Sequence, residues 1–315
     1  MPSSSSHTNA PAADTPTPLA PAANDGVAPS GSSAGTAPAA ATEAPPHPAE
    51  LVPSASQATA ASGAADPAAL ANAATCTLDG AAGASTPTLW VIGDSTASVY
   101  TSDLYPRMGW GQPLQDFFAP ACASVADRAI SGRSSKSFVD EGAWATVRDA
   151  LRAGDFVLIQ FGHNDEKSDD PLRFTDPFTT FQQYLSTYID DSLAKGATPL
   201  LVTPINRNEW NGPTLKDTHG QYPVAMRQLA QTRGIALVDA TALTKTYFEG
   251  IGEAATTLLF MDLAAGQFPN YPTGNTDNTH LQEAGARTIA RLILADLARQ
   301  NLPIARLVKE IPAPP

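Results

Sequence analysis

Long apolar runs are absent. No stretch approaches the roughly 18 consecutive apolar residues of a membrane-spanning helix, so no membrane partner is expected. Basic residues are scarce: 19 Lys and Arg stand against 31 Asp and Glu, the formal net charge is −12, and neither Lys nor Arg occurs before Arg107. This argues against nucleic acid as a partner, since phosphate binding needs a concentrated basic face. An anionic ligand would bind only through local arginines. The two cysteines, Cys76 and Cys122, are too few for a disulfide framework, and neither has a His or second Cys at metal-ligand spacing. A metal centre and a thiol nucleophile are therefore not expected. Each cysteine precedes one of two strands expected to be neighbours, so a single bridge and two free thiols both stay open. The opening MPSSSSHTNA lacks a basic segment followed by an apolar one, so no secretory signal is legible.

What is present changes sharply along the chain. Residues 1–85 are mostly Ala, Pro, Ser and Thr, and their few large apolar residues recur with neither helical nor strand period. Such a segment buries too little apolar surface to offset its ordering entropy, and it is expected to be a disordered leader or linker. Residues 86–315 suit one domain with a single sizeable core.

Within 86–315, short apolar runs alternate with longer segments of helical period. Strands are expected at Thr88–Ile92, Ser124–Ile130, Phe156–Phe161, Thr198–Thr203 and Ala236–Val238. Helices are expected at Asp140–Ala153, Phe178–Lys195, Gln221–Arg233 and Gln282–Gln300, three of them followed by Gly. This alternation implies right-handed crossovers and a three-layer α/β/α domain with a five-stranded parallel sheet. Ligands of such sheets sit beyond the carboxyl ends of the strands, which makes the residues after each strand the place to look for chemistry.

Four blocks follow strands or precede the last helix. Gly93-Asp94-Ser95-Thr96 puts a serine hydroxyl on a turn at a strand end. Ile130-Ser131-Gly132-Arg133-Ser134-Ser135 offers the Gly132 N–H to an oxyanion, and Phe161-Gly162-His163-Asn164-Asp165 offers the Asn164 amide. Asp277-Asn278-Thr279-His280 places a carboxylate three residues before an imidazole, close enough for one local turn to fix both groups and the ring tautomer. Each block alone also has a plain reading as a turn or a loop cap. Asp94 is expected to tie down the serine turn, and His163 to be structural or to line the substrate.

Taken together and in this order, the blocks GDST, SGRSS, FGHND and DNTH resemble the signature blocks of SGNH (GDSL-like) hydrolases. Gly109-Trp110-Gly111-Gln112, Gly132 to Phe138, and Glu141-Gly142-Ala143-Trp144 are similar to segments of the rhamnogalacturonan and pectin acetylesterases of that class. The resemblance spans roughly residues 88–300. It implies the flavodoxin-like SGNH hydrolase fold and a serine esterase in which Ser95, Asp277 and His280 are catalytic. Ser95, Gly132 and Asn164 would form the oxyanion hole, and neither metal nor cofactor is needed. The implied substrate is an acetylated cell-wall polysaccharide such as rhamnogalacturonan or pectin. A secreted or periplasmic monomer is expected.

Galacturonate carboxylates suit an arginine fork, with Arg133 and Arg207 as candidates. Trp110, Trp210, Tyr222 and Tyr271 are loop aromatics placed to stack on sugars, and His163 joins Arg133, Arg207, Trp110 and Trp210 in the expected substrate-binding set. Two alternatives stay open: an esterase or lipase acting on small or acyl-lipid esters, and a carbohydrate-binding protein without catalysis.

Overall fold

A computed structural model describes residues 86–309. The expectations for the 1–85 leader and for Cys76, and with it any Cys76–Cys122 bridge, lie outside the described residues. Strands β1 (Thr88–Gly93), β2 (Ser124–Asp127), β3 (Phe156–Gln160) and β4 (Thr198–Val202) belong to the central sheet. A separate antiparallel hairpin, β5 (Trp210–Asn211) with β6 (Thr214–Leu215), follows them, and β7 (Ala236–Val238) completes the central sheet. The sheet has five strands in the order β2-β1-β3-β4-β7, and every pairing is parallel. The helices are α1 (Ser135–Asp140), α2 (Ala143–Ala150), α3 (Gln182–Ala194), α4 (Tyr222–Arg233), α5 (Ala240–Ile251), α6 (Glu253–Thr257) and α7 (Glu283–Arg299).

The two-residue period of the strands sorts their side chains onto two cores. Leu89, Val91, Leu158, Leu200 and Val202 face α5 and α7, packing with Phe248, Ile289 and Ile293. Trp90, Ile92, Val157, Ile159 and Leu201 face the other way, toward Phe138 of α1, Trp144 of α2, Leu185 of α3 and Met226 of α4. β1 and β3 are buried along their whole length, which is why they read as continuous apolar runs rather than alternating ones. Burying each of these large side chains contributes about 1.5–3 kcal/mol.

Two expected elements differ in detail. β2 ends at Asp127 instead of running to Ile130, because the Asp127 carboxylate accepts the Ala129 N–H at 2.9 Å and bends the chain. Arg128 and Ile130 still donate to the Val91 and Gly93 carbonyls beyond that bend, so the segment follows β1 without being a regular strand. The single helix expected over Asp140–Ala153 is two helices. Ser134 and Ser137 form a capping box that starts α1 five residues earlier, and Gly142, at φ 81°, breaks the path before α2. Helix α5, capped where Asp239 accepts the Ala242 N–H, α6 and the β5–β6 hairpin were not expected from the pattern.

Candidate active site

Ser95 follows β1 at the carboxyl edge of the sheet and is 7 % exposed. Its turn is held from three sides. The Asp94 carboxylate accepts the Thr96 N–H at 2.9 Å and a Gln160 amide N–H at 3.0 Å. The Thr96 hydroxyl lies 2.8 Å from Asp94 Oδ1 and 2.9 Å from Gln160 Oε1, and donates to one of the two. The segment 109–111 then clamps the turn from outside: Gly109, Trp110 and Gly111 donate their N–H groups to Ser98, Thr96 and Ala97. Gly109 is required there by contact, since a Cβ would meet the Ala97 carbonyl carbon and the Ser98 backbone at 2.3 Å. Finally, the Tyr100 hydroxyl donates to the Ser95 carbonyl at 2.7 Å.

The turn before α7 brings the expected base, His280. Asp277 Oδ1 accepts the N–H groups of Thr279 and His280, each at 2.9 Å, which folds residues 277–280 into one tight loop. Asp277 Oδ2 faces His280 Nδ1 at 2.7 Å, and His280 Nε2 lies 2.8 Å from Ser95 Oγ. A carboxylate can only accept, so the Nδ1 proton points at Asp277 and the Nε2 lone pair receives the Ser95 hydroxyl. Burial alone would raise the Asp277 carboxyl, but the imidazole and the two backbone donors outweigh it and hold the group below the usual carboxylate range. Ser95 and the Asp277–His280 pair, separated widely along the chain, are thus joined by one line of hydrogen bonds.

The expected oxyanion donors come from the loops after β2 and β3. Neither the Ser95 nor the Gly132 N–H donates to another group of the described residues. The Asn164 amide is fixed by donating to the Arg133 carbonyl at 3.1 Å, which leaves its second N–H uncommitted among the described residues. Asp165 joins the same two loops. Its carboxyl receives the Ser135 N–H at 3.1 Å and the Ser135 and Thr175 hydroxyls, and burial pushes it up to about 7 despite those donors. Sequence reasoning passed over Asp165, Gln160 and Tyr100. Gln160 had a signal: a lone amide inside the apolar run FVLIQF needs a buried partner.

The substrate-binding expectations fare unevenly. Trp110 is fully buried and donates Nε1–H to Gln160 at 2.6 Å, so it supports the nucleophile turn and cannot stack on a sugar. Tyr222 is also interior, its hydroxyl bonded to the Asp165 and Thr175 carbonyls. His163 is 3 % exposed, behind Asp94, with its ring edge-on to His219 at 4.5 Å, and so lines no substrate surface. Burial and the neighbouring His219 and Arg207 push its imidazole down to about 4 despite Asp94. Arg207 is 16 % exposed and spent internally on Glu166 and the Thr218 carbonyl, because Glu166 lies between it and His219. Arg133 stays at the rim, 21 % exposed, but is paired with Glu141 at 2.8 Å. Trp210 is partly exposed on the β5–β6 hairpin; its Nε1–H donates to Asn208, whose N–H in turn donates to the Asn278 carbonyl beside the base. Tyr271 is tied by its hydroxyl to the Leu104 carbonyl.

Residues 91–288 match the model of the GDSL-like lipase/acylhydrolase family. The chain is 37 % identical over 218 residues to the rhamnogalacturonan acetylesterase RhgT of Bacillus subtilis, covering 69 % of this chain and 91 % of that protein. It is 29 % identical to a rhamnogalacturonan acetylesterase of Emericella nidulans, covering 66 % of this chain and 83 % of the relative. Among solved structures, Bacillus subtilis YxiM superposes with a TM-score of 0.60 at 26 % identity, over 69 % of this chain and 58 % of that longer one.

Proposed function

This chain belongs to the GDSL-like lipase/acylhydrolase family, and from that premise we propose that it is a serine acetylesterase that removes O-acetyl groups from an acidic cell-wall polysaccharide of the rhamnogalacturonan or pectin type. The observation that carries this reading is the 2.8 Å approach of His280 Nε2 to Ser95 Oγ, with Asp277 behind the ring at 2.7 Å. The acetylesterase relatives supply the substrate class.

In the proposed reaction His280 Nε2 takes the Ser95 hydroxyl proton as Oγ attacks the acetyl carbonyl, and Asp277 stabilises the imidazolium. The negative charge on the tetrahedral oxygen is met by the N–H groups of Ser95 and Gly132 and the free amide hydrogen of Asn164. One such donor is typically worth about 2.7–4 kcal/mol. His280 returns its proton to the departing sugar oxygen, leaving an acetyl group on Ser95. Water, deprotonated by the same nitrogen, attacks that acetyl-enzyme; acetate leaves and Ser95 regains its proton. A polymer substrate is met outside the cytoplasm, so we read the protein as secreted or periplasmic; its recovery only from the cytoplasm of its source would contradict that.

The test is acetate release from acetylated pectic polysaccharide, acetylated xylan and medium-chain esters by wild type and Ser95→Ala. Pectic substrate should be preferred, and the variant should lose at least a thousandfold. Equal rates for the two proteins would remove the serine mechanism. A preference for medium-chain esters would move the substrate class to lipids.

A further inference from the structure

A cavity whose walls are hydrogen-bonded to both the Ser95 turn and the segment after His280 is lined by an arginine that sequence reasoning passed over. It measures about 560 Å³, within the ordinary range for small-ligand sites, and its walls include Tyr100, Ser102, Tyr105, Arg107, Gln112 and Phe268. Its walls are bonded to both of those segments. On one side Tyr100 touches the nucleophile turn through its bond to the Ser95 carbonyl, and Gln112 fixes the Tyr100 backbone by accepting its N–H at 2.8 Å and donating to its carbonyl at 3.2 Å. On the other, Arg107 bridges to Gln282 and Met108 donates to the Leu281 carbonyl, directly after His280. Asn270 closes the outer wall by donating to the Ser102 and Tyr105 carbonyls.

Among the described residues Arg107 is the only charged one of the lining, in a chain whose net charge is −12. Its guanidinium carbon lies over the Tyr100 ring at 4.6 Å, and its Nε is buried without an acceptor among the described residues. No carboxylate of the described residues forms an ion pair with it. The nearby Glu283 is engaged by Arg287 at 2.8 Å and by the Tyr105 hydroxyl. Arg133 and Arg207, by contrast, both carry acidic partners. A guanidinium kept beside a cavity without an ionic partner is complementary to a planar anion. The edge-on rings of Tyr105 and Phe268, 6.0 Å apart, give the same cavity an apolar face.

We propose that this cavity is a subsite for an acidic sugar residue of the bound polymer, with Arg107 binding its carboxylate and Tyr105 and Phe268 packing on its ring. It rests on the polysaccharide acetylesterase reading and adds the residue that makes acidic polymers preferred. Matched acetylated oligosaccharides, with uronate residues as free acids or as methyl esters, isolate the carboxylate. Wild type should favour the free acid by roughly 10- to 100-fold in kcat/KM, the span of a charged hydrogen bond, with the difference in KM. Arg107→Gln should bring that ratio close to one, and Arg107→Lys should keep part of it. A wild-type ratio near one, or an undiminished ratio in Arg107→Gln, would overturn the subsite while leaving the esterase reading intact. Hydrolysis of an activated acetate ester with no acetate from either oligosaccharide would remove the polysaccharide reading and the subsite together.

Discussion

Replacing Asp277 by Asn separates the orienting role of this residue from its role in the turn. The amide oxygen can keep accepting the Thr279 and His280 N–H groups, so the loop stays folded. The amide nitrogen then faces His280 Nδ1 and donates to it, which drives the ring proton to Nε2, where it points at Ser95 Oγ and blocks proton removal. Turning the amide round would restore the tautomer but set its NH2 against two backbone donors. Losing two hydrogen bonds costs about 2 kcal/mol, leaving roughly one molecule in 30 productive. The neutral amide also stabilises the imidazolium less than a carboxylate does, by about 1.5–3 kcal/mol, or another ten- to hundredfold. The expected fall in kcat is therefore on the order of a thousandfold, with the melting temperature within a few degrees of wild type. Initial rates on an activated acetate ester, paired with thermal unfolding, measure both. A loss under tenfold, or one that tracks unfolding, would refute the reasoning.

Gly109→Ala should destabilise the protein by about 1–3 kcal/mol, because its Cβ must displace the backbone of the nucleophile turn, and kcat should fall more than KM rises; unchanged melting and kinetics would show that the clamp is slack. Asp127 gives a pH prediction. Burial raises its carboxyl to about 7, and Oδ2 is enclosed without a partner among the described residues. A raised folded value means that the folded protein holds this proton where the unfolded chain has lost it, so stability is greatest below about pH 4 for this group and declines as pH rises through 7. Asp127→Asn should flatten the decline between about pH 4 and 7, by up to about 4 kcal/mol for a shift of roughly three pH units; an unaltered slope in pH-dependent melting would rule it out.

Much of this architecture was readable because its causes are local. The buried runs TLWVI and FVLIQF announce central strands, and Asp277 with His280 form their pair within one turn. Elements set by long-range contacts were not. Trp110 looks like a loop aromatic until Gln160, 50 positions away, is seen accepting its N–H. Arg207 looks like a substrate fork until Glu166 arrives from the loop after β3. The split between α1 and α2 was legible in principle, in the Ser134 and Ser137 spacing and in Gly142, but the expected helix rested on the period of Trp144, Val147 and Leu151, all of which lie beyond the break.

Asp277 and the proposed base His280 ride on a single four-residue turn while the proposed nucleophile Ser95 follows a strand of the sheet, so the proposed machinery has two parts to align rather than three. Their alignment depends on the backbone bonds that the flanking residues make: Met108 to the Leu281 carbonyl and Met261 to the His280 carbonyl. A small slide of that peptide against β1 would silence the enzyme with every side chain intact. Inactivating substitutions are thus to be sought along this seam as well as at the reacting atoms.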